Sequence, residues 1–285
     1  MANDDFSALE NMTYSGRGIT MGMTPSGYPF VAYSLTGRSP PSQARELLVG
    51  ENTGVIRTSA ITDDAELEEM FDISSKSELY TLKEKIKGGS PALIYYPAII
   101  PMNNNILLAS NGAQTTLLYN TSHTNLGLIT PYEVIDRTFR NQFLDHDPKD
   151  DVMIDLTSYE PDHPNNTPRI SGVLINNEAA LCIVRKKDEG GQEEKELHSF
   201  ALQPGEGKLI TTYRGENESP LEPFRGDPLS VGIGSDNAID IAKSVYSAIY
   251  GGQEEGDNYR VAAAVALFRD GRLETAIRNR VNQGD

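Results

Sequence analysis

Two hydrophobic rhythms alternate along the chain. A period of two in "GITMGM" (18–23) and the apolar run of "YPFVAYSL" (28–35) predict two strands joined by the turn "TPSG". "NTGVIRTSA" (52–60) predicts another strand, and the short apolar runs "ALIYYPAII" (92–100) and "ILLAS" (106–110) predict buried ones. Helical spacing appears in "DDAELEEMF" (63–71), whose acids suit a helix start, and in "SKSELYTLKEKIK" (75–87), closed by Gly88 and Gly89. A helix is predicted after Asn111 and Gly112 in "NGAQTTLLYNT", and another over "TPYEVIDRTFRNQFL" (130–144), with Pro131 near its start.

The rest is strand-rich. "RISGVLI" (169–175), "AALCIVRK" (179–186), "ELHSFAL" (196–202) and "KLITTYR" (208–214) are separated by hairpin signals. After the loop "GENESPLEPFRGDP" come an N-capped amphipathic helix (235–250), a strand (259–268) and a short final strand or helix. Two runs of strands, each adjoining a pair of helices, predict a layered α+β fold with antiparallel sheets. No linker interrupts the 285 residues, so a single domain, 1–285, is expected.

Charge sharpens this picture. The chain carries 25 Lys and Arg against 41 Asp and Glu, a net charge of −16. That balance argues against general nucleic-acid binding, which depends on neutralising phosphates. Residues 11–45 nevertheless contain no acid, while Arg17, Arg38 and Arg45 are present. Residues 88–132 contain no Asp, Glu, Lys or Arg, which predicts a segment central to the fold. That segment still holds amides and hydroxyls in need of partners, among them Asn103, Asn104, Asn105, Asn111 and Gln114. No apolar run is long enough to span a membrane and no export signal opens the chain, so a cytoplasmic protein is expected. The one cysteine, Cys182, lies in an apolar run and is expected to be a buried structural thiol.

Candidate chemistry is narrow. The four histidines are scattered, "DHDPKDD" (145–151) does not match a calcium loop, and no metal site is expected. Walker, dinucleotide and serine-hydrolase motifs are absent. What remains is arginine and amide chemistry. Arg17 and Arg38 each follow a glycine at a strand edge, where a guanidinium can fork onto phosphate or carboxylate. "YEPDHPNNTPRI" (159–170) puts Glu160 and Asp162 on a proline-rich loop ahead of Asn166, Thr167 and Arg169. Such a carboxylate suits a general acid or base, although from spacing alone an acidic loop capped by its own Asn and Thr is slightly favoured.

"YSGRGITMGMTPSGYPFVAYSLTGRSPPSQAR" (14–45), "SNGAQTT" (110–116) and "NNTPRI" (165–170), in that order, resemble the archaeal-type IMP cyclohydrolase family over about the first 180 residues. The resemblance implies a four-layer αββα sandwich, two antiparallel sheets flanked by helices, similar to Ntn-hydrolases. It implies cyclodehydration of 5-formamidoimidazole-4-carboxamide ribonucleotide to IMP in purine biosynthesis, with no cofactor. With Met1 and Ala2 at the start, no N-terminal nucleophile is expected.

Carried across by motif, Arg17 and Arg38 with Ser39 would hold the phosphate or the developing oxyanion. Tyr96 would relay a proton, Asn111 and Gly112 would contact the base or formyl oxygen, and Glu160 would be the acid/base. Asn166, Thr167 and Arg169 would position Glu160 and the nucleotide. The chain departs from the family pattern in its length, with insertions expected near 74–90, 188–194 and 215–227. It also has Pro164-Asn165 where a tyrosine is expected, and an apolar "PAIIPM" after Tyr96 where a lysine is expected. Two alternatives therefore stay open: a purine-nucleotide-binding relative without turnover, or an amide hydrolase on the same fold. A homo-oligomer is compatible with the sequence.

Overall fold

The computed structural model describes residues 4–88, 94–102, 106–125, 129–147, 151–188, 191–250, 252 and 257–280. Met1, Ala2, Gly89 and Asn103 to Asn105 lie outside these, as does part of the 188–194 segment. Two antiparallel sheets dominate. The six-stranded sheet has the order β13 (Leu229–Gly232), β12 (Glu206–Thr211), β1 (Arg17–Met23), β2 (Pro29–Thr36), β14 (Arg260–Arg269), β15 (Arg272–Asn279). The seven-stranded sheet runs β11 (Glu193–Ala201), β10 (Glu178–Lys186), β9 (Arg169–Ile175), β6 (Ile106–Ser110), β5 (Pro97–Met102), β4 (Ile56–Ala60), β3 (Arg45–Val49). A small hairpin, β7 (Leu144–Asp147) and β8 (Val152–Asp155), stands apart.

Strand alternation sorts the core. Ile19 and Met21 of β1, Val31, Tyr33 and Leu35 of β2, and Leu107 and Ala109 of β6 share one cluster with Leu181 and Ile183 of β10, so the two sheets pack on each other. The opposite face of the six-stranded sheet, with Phe30, Ala32 and Val265, receives Phe6 and Leu9 around α1 (Ser7–Glu10) and Ile241 and Val245 of α7 (Ala238–Ala248). The opposite face of the seven-stranded sheet, with Leu108, Val173 and Cys182, receives Leu118 of α5 (Gln114–Thr124) and Val134 and Ile135 of α6 (Pro131–Thr138). Cys182 is thus packed between sheet and helices, and burial pushes its thiol up to about 12. The remaining helices are α2 (Pro40–Gln43), α3 (Asp64–Phe71) and α4 (Lys76–Lys87). The last two cover Ala44, Ala60 and Ile61 at the edge of the seven-stranded sheet.

The helix starts follow their caps. Asp63, Ser75 and Asn237 each accept a backbone N–H from three residues on, and Thr130 and Glu133 form a capping box ahead of α6. Several predicted boundaries move. The helix expected over 130–144 ends at Thr138, where the Phe139 carbonyl accepts from Lys195 Nζ at 2.6 Å instead of continuing the turn. Of the strand expected over 92–100, residues 92 and 93 lie outside the described residues and the remainder is a strand only from Pro97, although Tyr96 N–H and C=O are already bonded to Thr58. β3, β7, β8 and β13 were not predicted: they are four or five residues long, too short for a period to show. The final segment is a strand, β15.

Candidate active site

Four segments distant in sequence converge on one cavity of about 380 Å³. Tyr14 and Arg17 come from the start of β1. Arg38, Ser39, Ser42 and Arg45 come from the stretch between β2 and β3. Glu160, Asp162, Asn165 and Thr167 come from the loop leading into β9, and Tyr213 and Leu221 from the segment after β12. A larger cavity of about 970 Å³ lies beside α7, but its carboxylates Asp4 and Asp236 already accept backbone and hydroxyl hydrogens from Gly234, Ser235 and Ser26. Its charge is negative and satisfied, so it offers little to an anionic ligand.

Glycine sets the first wall. Gly16 has φ +72°, in the left-handed region, and a Cβ there would collide with Thr212 Oγ1 and the Tyr213 ring. The Gly16 carbonyl accepts from both Thr36 N–H (2.8 Å) and Thr36 Oγ1 (2.9 Å), while Arg17 N–H donates to Thr212 Oγ1 at 3.0 Å. The turn therefore ties β1, β2 and β12 together immediately before Arg17. Burial works against the Arg17 cation, yet Tyr96, Glu160, Tyr33 and Tyr14 around it hold its pKa well above the usual arginine range. Its Nε is buried without a hydrogen-bond partner.

Arg38 is placed at the rim. It is half-buried, lies over the Tyr14 ring with 5.5 Å to the centroid, and donates from Nη1 to the Glu218 carbonyl at 3.0 Å. The 215–227 loop, expected from sequence as an insertion, thus tethers Arg38 and supplies Leu221 to the wall. Ser39 is exposed, and its hydroxyl bonds Ser42 Oγ at 3.1 Å.

The opposite wall carries the acids. Glu160 is 3% exposed, and its carboxylate is 3.6 Å from Arg169 Nη1. Burial raises the Glu160 pKa, opposed by the cations Arg169, Arg17 and Arg45 and reinforced by Asp162. The same loop closes on itself: Glu160 N–H donates to the Thr167 carbonyl at 2.9 Å, and Asp162 accepts from Thr167 N–H at 2.6 Å and from Thr167 Oγ1. Thr167 Oγ1 also bonds Tyr213 OH at 2.7 Å. Tyr213 stacks on Tyr14, ring centroids 5.7 Å apart, and burial drives its hydroxyl pKa upward.

The sequence-derived residues fall into three groups. Arg17, Arg38, Ser39, Glu160 and Thr167 line the cavity. Arg169 and Tyr96 stand directly behind it. Arg169 donates from Nε to the Ser158 carbonyl (2.7 Å) and from Nη1 to Gln114 Oε1 (3.0 Å), and Tyr96 OH bonds Tyr33 OH at 3.0 Å. Asn111, Gly112 and Asn166 are not on the cavity wall. The Asn111 amide is consumed inside the fold: it donates to the Pro168 carbonyl and accepts from Ile170 N–H and Gln114 Nε2. Gly112 leaves room for the Arg169 guanidinium, which a Cβ would meet at 2.7 Å. Asn166 sits at φ 46° and bonds the Pro164 carbonyl, and it is Asn165 that faces the cavity.

The sequence alone gives no role to Tyr14, Arg45 or Tyr213, and Asp162 shares only the general carboxylate reading of its loop. Arg45 had a signal, as the third arginine of the acid-free stretch. Tyr213, at the end of "TTYR", had none. Residues 135–271 match the model of a family described as IMP cyclohydrolase-like protein. The matched span includes Glu160, "NNTPRI" and Tyr213 but not the Tyr14 to Arg45 wall. No curated protein matches the chain.

Proposed function

We propose, from the match of residues 135–271 to the model of an IMP cyclohydrolase-like family, that the chain closes 5-formamidoimidazole-4-carboxamide ribonucleotide to IMP with loss of water, on an Ntn-hydrolase-like four-layer domain. The observation that carries this reading is the juxtaposition in one cavity of the buried carboxyl of Glu160 with Arg17, Arg38 and Arg45. An anionic substrate is drawn to such a site, and a buried carboxyl of raised pKa suits a proton carrier.

Ring closure needs folding of the substrate, support for the oxygen and proton transfer, but no covalent nucleophile. The carboxamide nitrogen attacks the formyl carbon, and a C–N bond forms as the formyl oxygen becomes a hydroxyl. Glu160 takes the proton from the attacking nitrogen and delivers it to the oxygen. The C–O bond then breaks, and water leaves with that proton and the one from the formamido nitrogen. Arg38 N–H groups steady the oxygen while it carries charge, and Arg169 keeps Glu160 aimed. Incubating the protein with the formamido nucleotide and following IMP formation tests the reading directly.

The placement of Tyr96 favours a second reading. Its hydroxyl is bonded to Tyr33 behind the wall, and the strand after it is apolar. A nucleotide-binding protein without turnover fits these features, and IMP binding without IMP formation would select it.

A further inference from the structure

Arg45 opens β3 and is 8% exposed, yet its Nε and Nη1 are buried without any hydrogen-bond partner. Its placement is not accidental slack. The next strand residue on its face, Leu47, belongs to the core between the sheets, and Leu47 N–H and C=O are both held by the Asn279 amide at 2.9 and 3.0 Å. Pairing with β4, Arg45 opposite Ala60, completes the anchorage. β1 repeats the pattern: Arg17 shares the inter-sheet face with Ile19 and Met21, and its Nε is also buried and unpartnered. Two guanidinium groups therefore enter the same cavity from facing sheets.

Among the described residues neither makes an ion pair, since Glu160 pairs with Arg169 and Asp162 is engaged by Thr167. Two like charges in a desolvated site repel one another, and unpaired buried N–H groups are costly. A single dianion with several acceptor oxygens relieves both defects, as one neutral carbonyl cannot.

We propose that Arg45 and Arg17 together form the anchor for the phosphomonoester dianion of the bound nucleotide, Arg45 being a binding residue in its own right. This deepens the cyclohydrolase reading and rests on it for the identity of the nucleotide. Arg38, tethered at the rim by Glu218, is left to the outer part of the ligand.

The test uses the full chain, with inorganic phosphate, IMP and inosine as probes. Phosphate should bind the wild type and raise its melting temperature, and Arg45→Gln should weaken phosphate and IMP by about tenfold or more. Inosine binding should be unchanged, and Arg57→Gln, on the exposed face of β4, should change none of these. In phosphate-free buffer Arg45→Gln should be at least as stable as the wild type, because it removes an unpartnered buried cation. Arg45→Lys, which keeps the charge but not the fork, is the second variant and should bind phosphate with intermediate affinity.

Equal losses for IMP and inosine, undiminished phosphate binding in the variant, or destabilisation with and without phosphate alike would overturn the assignment. Phosphate that IMP does not displace would assign the site to free phosphate and also overturn it. Arg45-dependent IMP binding without IMP formation keeps this inference and removes the cyclohydrolase reading. IMP formation indifferent to Arg45→Gln does the reverse.

Discussion

Glu160 and Arg169 face each other at 3.6 Å with side chains 4% and 1% exposed, a separation too long for a direct hydrogen bond. Arg169 Nη1 is held by Gln114 and its Nε by Ser158, so the guanidinium cannot advance. Glu160 Oε1 is left without a hydrogen bond. The carboxylate is compensated in charge but not in bonding, which leaves it free to accept a proton. Full pairing would have depressed its basicity.

Replacing Glu160 by Gln keeps the shape and removes the proposed proton carrier. We expect kcat to fall by about 10²–10⁴ with a smaller change in KM. Steady-state kinetics on the formamido nucleotide check this, and an unchanged rate would sink the acid/base role.

The raised pKa of Glu160 has a signed effect on stability. The folded protein keeps this proton over a range where the unfolded chain has lost it. The associated stability is complete below the ordinary glutamate value and is lost as pH rises through the folded value. Glu160→Gln cannot ionise and escapes that loss, so its stability relative to wild type should grow with pH in this window. Denaturant unfolding of both proteins between about pH 4 and pH 8 measures it.

Arg169→Met should be damaging in two ways. Removing one partner of a buried pair costs about 3–5 kcal/mol, because Glu160 stays buried and uncompensated. The Glu160 carboxyl should then titrate still higher, moving the acid limb of the pH–rate profile to higher pH. A destabilised variant with an unmoved profile would show that Arg169 only supports the loop.

Gly16→Ala tests the turn that aims Arg17. Strain at φ +72° alone costs about 1–3 kcal/mol, and the collision with Thr212 adds to it. Displacement of Arg17 should raise KM for the nucleotide, or Kd for IMP, more than it lowers kcat.

Cys182 should resist alkylation in the folded protein at neutral pH, since burial holds its thiol near 12. Labelling should begin only as the protein unfolds, and rapid native-state labelling would contradict the packing around β10.

How far these features could be foreseen depends on the distance over which they are determined. Local chemistry made the helix starts legible, because a cap is satisfied within three residues: Asp63 with Glu66, Ser75 with Glu78, Thr130 with Glu133. Near-continuous apolar runs made β1, β2, β9 and β10 legible, because each buries both faces over seven or more residues. The acid-free opening marked Arg17 and Arg38 because a missing charge is visible in one dimension, and the proline-rich "YEPDHPNNTPRI" marked Glu160 and Thr167.

Burial depth, facing and partnership are not visible there. In the chain Arg45 is the third arginine of an acid-free stretch, ahead of a short apolar run; only the pairing of β3 with β4 and the Asn279 amide turn it into the core. Asn111 reads as a ligand contact until Pro168, Ile170 and Gln114 are seen to use its amide. Tyr213 meets Thr167 and Tyr14 across long separations in sequence. The sequence by itself determined the elements and the residue types available for an anion and a proton. Tertiary packing decided which of them stand unsatisfied in one cavity, because a hydrogen bond made or missed inside a protein depends on neighbours that only the fold brings together.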